Sequence, residues 1–482
     1  MAHSKIIPLI LAPTAAMLLA GCETITSPKN YTDTWTSPTL EDKVCESDNT
    51  WKNIRSQKID SSKPLTLSEL VDIALNNSPA TRQYWYNAKA NEAVVGQNQS
   101  AYYPSATISA DLKRQKTNDT VRVNNVNYSM WGPNLQLSYL LLDFGGRSAN
   151  LEQAYQNLLN SNFQYNQSIQ DLLQSVAKAY YDFYSSQSAL DAALSDTLDA
   201  KISLNATKIR LDAGLVTELD VLQSRSQYNK SLYNLESAKG RVQTSRANLA
   251  NSIGFPADAD FSVYSPRDNL PTGISKRDVT KMIDNALIKR PDIASYRASV
   301  LAQAAAVKSA NSALWPSLNF TGNTDKMWRE MYNANDSHEN EYEFIGFLSV
   351  SWDVFDGFNN LNKKRQAQAQ YESLLENLRL AELAASSDVW TKYYNYRTDV
   401  KNLAFSRAYY DSSKSSYDLA IKGYDAGIKS ILDVLQAQSQ LSDARSQVIQ
   451  SKKNVFYGIV DLAHATGVLN TQKIQELKYK QE

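Results

Sequence analysis

The chain of 482 residues has only two cysteines, three histidines and six methionines. No cluster with metal-ligand spacing, no nucleophile elbow and no phosphate-binding loop occurs in it. Catalysis by those devices is excluded, no cofactor is expected, and scarce methionine and histidine argue against a dedicated metal-ion conduit. Lysine plus arginine equals aspartate plus glutamate at 50 each, so no global field recruits nucleic acid. After residue 22 no apolar run reaches the ~18 residues of a spanning helix, which leaves only the weaker signal of a β-barrel open as a membrane architecture. Proline is absent after Pro316, and neither glycine nor proline interrupts the stretch between Gly146 and Gly214.

What is present begins with residues 1–22, MAHSKIIPLILAPTAAMLLAGC, a basic start followed by an apolar run that is short and carries Pro8 and Pro13. This is the pattern of an export signal. Leu19-Ala20-Gly21-Cys22 resembles the bacterial lipobox, which implies a signal peptide over 1–21 and a lipid on Cys22. Glu23, rather than aspartate, implies delivery to the outer membrane. Cys45 is then the only thiol left, so no intrachain disulfide is expected.

The remainder is written twice. AGLVTELDVLQSRSQ at 213–227 is matched by AGIKSILDVLQAQSQ at 426–440, an offset of 427 − 214 = 213 between Gly214 and Gly427. The same offset relates Ser138 to Ser351, Ala154 to Ala367 and Gly254 to Gly467, while AYYPS and ALWPS, further upstream, lie 212 apart. A single-residue indel between Pro104 and Ser138 accounts for the difference. Duplicated halves are expected at 64–254 and 276–467, with an anchor segment at 22–63, a linker at 255–275 and a tail at 468–482. Nine of ten heptad-spaced positions from Leu151 to Phe183 are apolar, which predicts an unbroken coiled-coil helix over about 147–212 and a counterpart over about 359–425. Helices on the order of 100 Å long predict an elongated rod or tube. Period-two stretches at 105–113, 134–141, from Ser317 and around Leu348–Val354 predict four strands of about nine residues, with polar loops between the members of each pair. Tyr102, Tyr103, Phe144, Trp315, Phe355 and Phe358 flank them as an interfacial aromatic girdle would. Four strands cannot close a barrel, so strands must be pooled between chains.

In each copy the glycine stop, Gly214 or Gly427, is followed by a hydroxyl and then an acid: Thr217 and Asp220, Ser430 and Asp433. That spacing predicts a helix end, a capping box and a restarted helix, a hairpin turn. Taken in order, the lipobox, the duplicated halves, YYPS/LWPS, LLDFGG/VFDGFN and the repeated hairpin sentence resemble the bacterial outer membrane efflux proteins, the TolC and OprM family, over about 64–467. The resemblance implies an α+β membrane protein. It implies that three chains form one 12-stranded β-barrel in the outer membrane, continued by an α-helical tunnel in the periplasm. It implies a channel that works with a periplasmic membrane fusion (adaptor) protein and an inner-membrane transporter to export small molecules. Type I protein secretion shares such an outer component, and a lipid-anchored coiled-coil tether is a further alternative. The resemblance also implies a pore constriction at Asp433, although the second acidic position of the family pattern is Gln436 here. Finally, it implies a closed-state tether from Tyr424 and Lys429 of the second hairpin to Asp220 of the first. The first copy has Leu211 and Val216 where the second has Tyr424 and Lys429.

Overall fold

The computed structural model describes residues 63–117, 126–265, 279–332 and 338–471. The leader with Cys22, Cys45, most of the linker after 265 and the tips of both strand-joining loops lie outside the described residues. The described elements all belong to one unit, Ile59–Glu482. In order they are α1 (Leu67–Asn77), α2 (Pro79–Ser100), β1 (Ser105–Thr117), β2 (Val126–Leu142), α3 (Gly146–Asp212) and α4 (Glu218–Ser252), then α5 (Val279–Lys289), α6 (Pro291–Ser312), β3 (Ser317–Met331), β4 (His338–Ser351), α7 (Asn359–Asp425) and α8 (Ile431–Ala465). The order α-α-β-β-α-α therefore occurs twice. Its bounds keep the offsets of the sequence, 359 − 146 = 213 for the long helices and 291 − 79 = 212 upstream.

Local chemistry accounts for the element ends. Thr66 and Glu69 form a capping box on α1, while Pro79 and Pro291 stand at the first position of α2 and α6, where no backbone donor is needed. The carboxylates of Asp143 and Asp356 accept the backbone N–H of Arg147 and Asn360 in the first turns of α3 and α7. At 1.5 Å per residue, the 67 residues of α3 and of α7 each run about 100 Å.

The main core gathers Leu70 and Val71 of α1, Leu173 and Val176 of α3, Leu249 of α4 with Ile253 just after it, and Val460 of α8. Fully burying side chains of this kind contributes about 1.5–3 kcal/mol each. Two features of the sequence explain why both halves meet here. α3 packs against α4, α2, α6 and α8, and its apolar residues join α4 and α8 in the core while Asn160 and Ser161 make polar contacts to α6 and α2. A partly buried ion pair then joins the halves: Asp461 of α8 bonds Lys178 of α3 at 2.6 Å, and Lys392 of α7 meets the same carboxylate at 3.2 Å. Toward the end of the first hairpin the packing turns small and hydroxylated, with Ala200, Ser203, Thr207 and Ser224 buried and the hydroxyls of Thr207 and Ser224 3.1 Å apart, whereas the second hairpin packs Tyr417, Tyr424, Ile431, Val434 and Leu441 together.

The four strands form one antiparallel sheet in the order β1-β2-β3-β4. Directly paired residues share a face, and the register sorts most of the strand residues by polarity, with Leu140, Ile345 and Phe347 as apolar residues on the polar face. One face carries Ile108, Leu112, Leu135, Leu137, Phe320, Phe344, Leu348 and Val350; the other carries Thr107, Ser109, Asn134, Gln136, Asn323, Ser349 and Ser351. The expected alternation is present, but the strands run 13, 17, 15 and 14 residues instead of about nine. The extra length lies in segments expected as loops, such as Arg114–Thr117 and Glu339–Glu343. There both faces are polar and the apolar alternation disappears, while cross-strand pairs such as Arg329 with Glu341 at 2.6 Å continue the ladder.

Candidate functional site at the hairpin ends

Each hairpin end is built by the same backbone device. Gly214 and Gly427 have φ of 71° and 75°, and a Cβ at either would touch nothing within 4 Å, so only the left-handed conformation demands glycine. Around them Leu215 N–H donates to the Arg210 carbonyl and Ile428 N–H to the Gly423 carbonyl, both at 2.8 Å, which satisfies the last turn of each long helix. The next helix starts on a complete capping box in both copies. Asp220 N–H donates to Thr217 Oγ1 at 3.4 Å while Asp220 Oδ2 accepts from Thr217 N–H and hydroxyl, each at 2.8 Å. Asp433 and Ser430 repeat the arrangement at 3.3, 2.9 and 2.8 Å. The backbone and hydroxyl hydrogen bonds from Ser430, aided by the charge of Lys429, hold the Asp433 carboxyl below the usual carboxylate range.

On the second hairpin Lys429, Asp433 and Gln436 come together, with Ser416, Leu419 and Gln440, around one groove of about 290 Å³ between α7 and α8. The exposed apolar side chains Leu215 and Leu219 on the first hairpin, and Ile428 and Leu432 on the second, crown the two turns.

The tie between hairpins differs from the expected one. The Asp220 carboxylate is turned back onto its own cap, and Tyr424 is buried with its hydroxyl free of any hydrogen-bond partner, so within one chain the two are not joined. Lys429 instead lays its stem against Gly423, where a Cβ would meet Lys429 Cγ at 2.7 Å. The bridge comes from Arg210 of the first hairpin. Its guanidinium lies 3.9 Å from the centre of the Tyr424 ring, donates to the Tyr424 carbonyl at 2.7 Å and reaches Asp425 at 3.3 Å. Stacking, a neutral acceptor and a carboxylate are thus all served by one planar cation, which lysine could not do. The signal for it was in the repeat. Arg210 aligns with Gly423 at the offset 423 − 210 = 213, one position before the Leu211/Tyr424 difference.

Further along the shaft a second polar node joins the same hairpins. Arg445 of α8 pairs with Asp196 and Asp199 of α3, and the Ser442 hydroxyl donates to Asp196 at 2.5 Å. Burial lifts Asp199 above the usual carboxylate range in spite of Arg445, and burial together with the nearby Asp199 charge pushes the Tyr417 hydroxyl up to about 12.

A two-faced sheet with unpaired edge strands, joined to paired helical hairpins, defines a class of outer membrane channel subunit. The sequence profile described as "Outer membrane efflux protein" matches residues 70–255 and 282–480, and the chain belongs to that family. It is an outer membrane channel component of an export system, with the helices as its periplasmic tunnel. Among relatives, Protein CyaE of Bordetella pertussis is 29% identical over 331 residues, 67% of either chain. The toluene efflux pump outer membrane protein TtgF of Pseudomonas putida is 26% identical over 416 residues, 83% of either chain. Among solved structures, the outer-membrane channel OprN superposes with a TM-score of 0.74 at 20% identity, covering 86% of this chain and 96% of that one.

Proposed function

We propose that three copies of this chain close one 12-stranded barrel and that the resulting duct conducts small apolar or amphipathic compounds outward. The observation that carries this reading is the four-stranded sheet, whose outer strands β1 and β4 are each paired on one side only among the described residues and whose faces divide into apolar and polar. A sheet of that kind is stable in a bilayer only when its edges are paired. Three copies give enough strands to leave a water-filled lumen, whereas two would give a barrel filled by side chains. A periplasmic adaptor and an inner-membrane transporter deliver the cargo. Cys22 carries a lipid that adds a second anchor, and the similarity to a toluene efflux protein over 83% of both chains supports small solutes as cargo.

At the tunnel end, Asp433 lines the constriction, Gln436 takes the place of a second acid, and the Arg210–Tyr424–Asp425 clasp is the closed-state tie inside each chain. Asp220 and Lys429 are left for contacts between neighbouring copies. The test is the oligomer and its pore. Purified full-length protein should migrate as a heat-resistant trimer and produce discrete single-channel currents in planar bilayers. A monomer without conductance would leave the lipid-anchored tether as the better account.

A further inference from the structure

Among the apolar residues that the register puts on the polar face of the sheet, Leu140 on β2 included, two on β4 bear on what passes through the barrel. Row by row, the register places Ser105, Ser138, Thr321 and Phe347 side by side, and next to them Thr107, Gln136, Asn323 and Ile345. Three residues of each row are hydroxyls or amides; the fourth, always on β4, is a large apolar side chain. Phe347 is 49% exposed and Ile345 43%, so neither is covered by its β3 neighbours. The strand that would join β4 across a barrel seam is β1 of the next copy, and its residues on this face at the near end are Ser105, Thr107 and Ser109, all too small to cover an aromatic ring. The lipid-side residues Leu348 and Val350 alternate with this pair, so β4 is not slipped by one position.

Twelve strands about 4.8 Å apart and tilted by about 40° give a backbone cylinder roughly 24 Å across. A serine or threonine barely enters such a lumen, whereas a phenylalanine ring extends into it by several ångströms. Three copies of the pair then make three apolar ledges at one height, separated by wet lanes of hydroxyl and amide. Such a lining offers an amphipathic solute an apolar face to rest on without leaving water. We propose that Phe347, supported by Ile345, is a specificity-determining contact of the barrel lumen, selecting apolar and aromatic solutes over hydrated ions of the same charge. This rests on the trimeric channel proposed above and names the substrate class of that channel.

The probe is tetraphenylphosphonium, a bulky aromatic cation, compared with tetramethylammonium, which has the same charge and no ring. Each is added to the outer side of planar bilayers holding the full-length protein. Losing the ring should weaken block by tetraphenylphosphonium about fivefold in Phe347→Ala, and Phe347→Leu should recover part of it. Tetramethylammonium block should be unchanged in both, and Leu348→Ala, on the lipid face, should behave as the wild type with either cation. Equal tetraphenylphosphonium block in wild type and Phe347→Ala overturns the assignment, as does a parallel change for both cations, which would report pore charge or width instead. If Phe347→Ala yields no trimers, Ile345→Ala and Phe347→Leu must still shift tetraphenylphosphonium block alone. A wild-type protein that forms no channel would instead overturn the proposed function.

Discussion

Arg210 is the residue on which the hairpin end turns. Its guanidinium is partly exposed, with 23% of the side chain accessible, and its acidic partner Asp425 is largely solvated, so the ion pair itself contributes little, under about 1 kcal/mol. The bond to the Tyr424 carbonyl and the stacking over its buried ring carry more of the interaction. Arg210→Ala should therefore raise single-channel conductance by loosening the two hairpins. Arg210→Lys should resemble alanine more than wild type, because an ammonium cannot stack and bridge at once. Equal conductance in all three proteins, with trimers intact, would place the restraint elsewhere. Asp461 supplies a different prediction. Burial alone would raise its pKa, but the hydrogen bond and charge of Lys178, with Gln174 and Lys392, hold the carboxyl below its usual range. A depressed folded-state value means that its stabilisation is present above the unfolded value near 4 and is lost as pH falls through the lowered one. Asp461→Asn should destabilise the protein by about 1–2 kcal/mol at pH 7, since two cations lose their partner, and the gap to wild type in thermal unfolding should narrow toward pH 3.

The helices and strands were legible to different degrees, for identifiable reasons. The ends of α3 and α7 could be read almost to the residue because glycine, then hydroxyl, then acid is a local code: every group in the capping box lies within four positions. The strands were under-read because apolar alternation marks only the portion of a strand with one buried or lipid-facing side. Arg114–Thr117 and Glu339–Glu343 are held by cross-strand partners that no single strand reveals. The turn chemistry can be separated by substitution. Gly214→Ala should cost about 1–2 kcal/mol through the left-handed backbone alone, since the Cβ has open space. Thr217→Ala should cost about 1 kcal/mol through the lost cap. Thermal unfolding of the detergent-solubilised protein, with circular dichroism at the helical band, would resolve the two. A cost at Gly214 no larger than at an ordinary surface residue would contradict the assigned backbone.

For the molecule as a whole, the arrangement follows from one polarity split in the sheet and one seam in the helices. If the apolar face meets lipid, Leu137→Arg or Val350→Arg near the bilayer midplane should cost about 2–4 kcal/mol and reduce the yield of heat-resistant trimers. Gln136→Arg or Ser349→Arg, on the opposite face, should leave yield near wild type and alter conductance instead. Comparable losses on both faces would mean that the sheet does not line a pore. The duplicated plan, the long helices, the two turns and the alternation of the strands were all present in the order of residues, because each depends on neighbours a few positions away or on a constant offset of 213. What required the folded chain was the pairing of distant groups. Arg210 meets Tyr424 across 214 positions and Lys178 meets Asp461 across 283, and the Phe347 ring stands on a hydroxyl-lined face only because β1, β2 and β3 set the rows beside it. Local codes act through short-range sterics and hydrogen bonds and survive in one dimension; a cation choosing between acids on two hairpins is decided by which helix faces happen to meet.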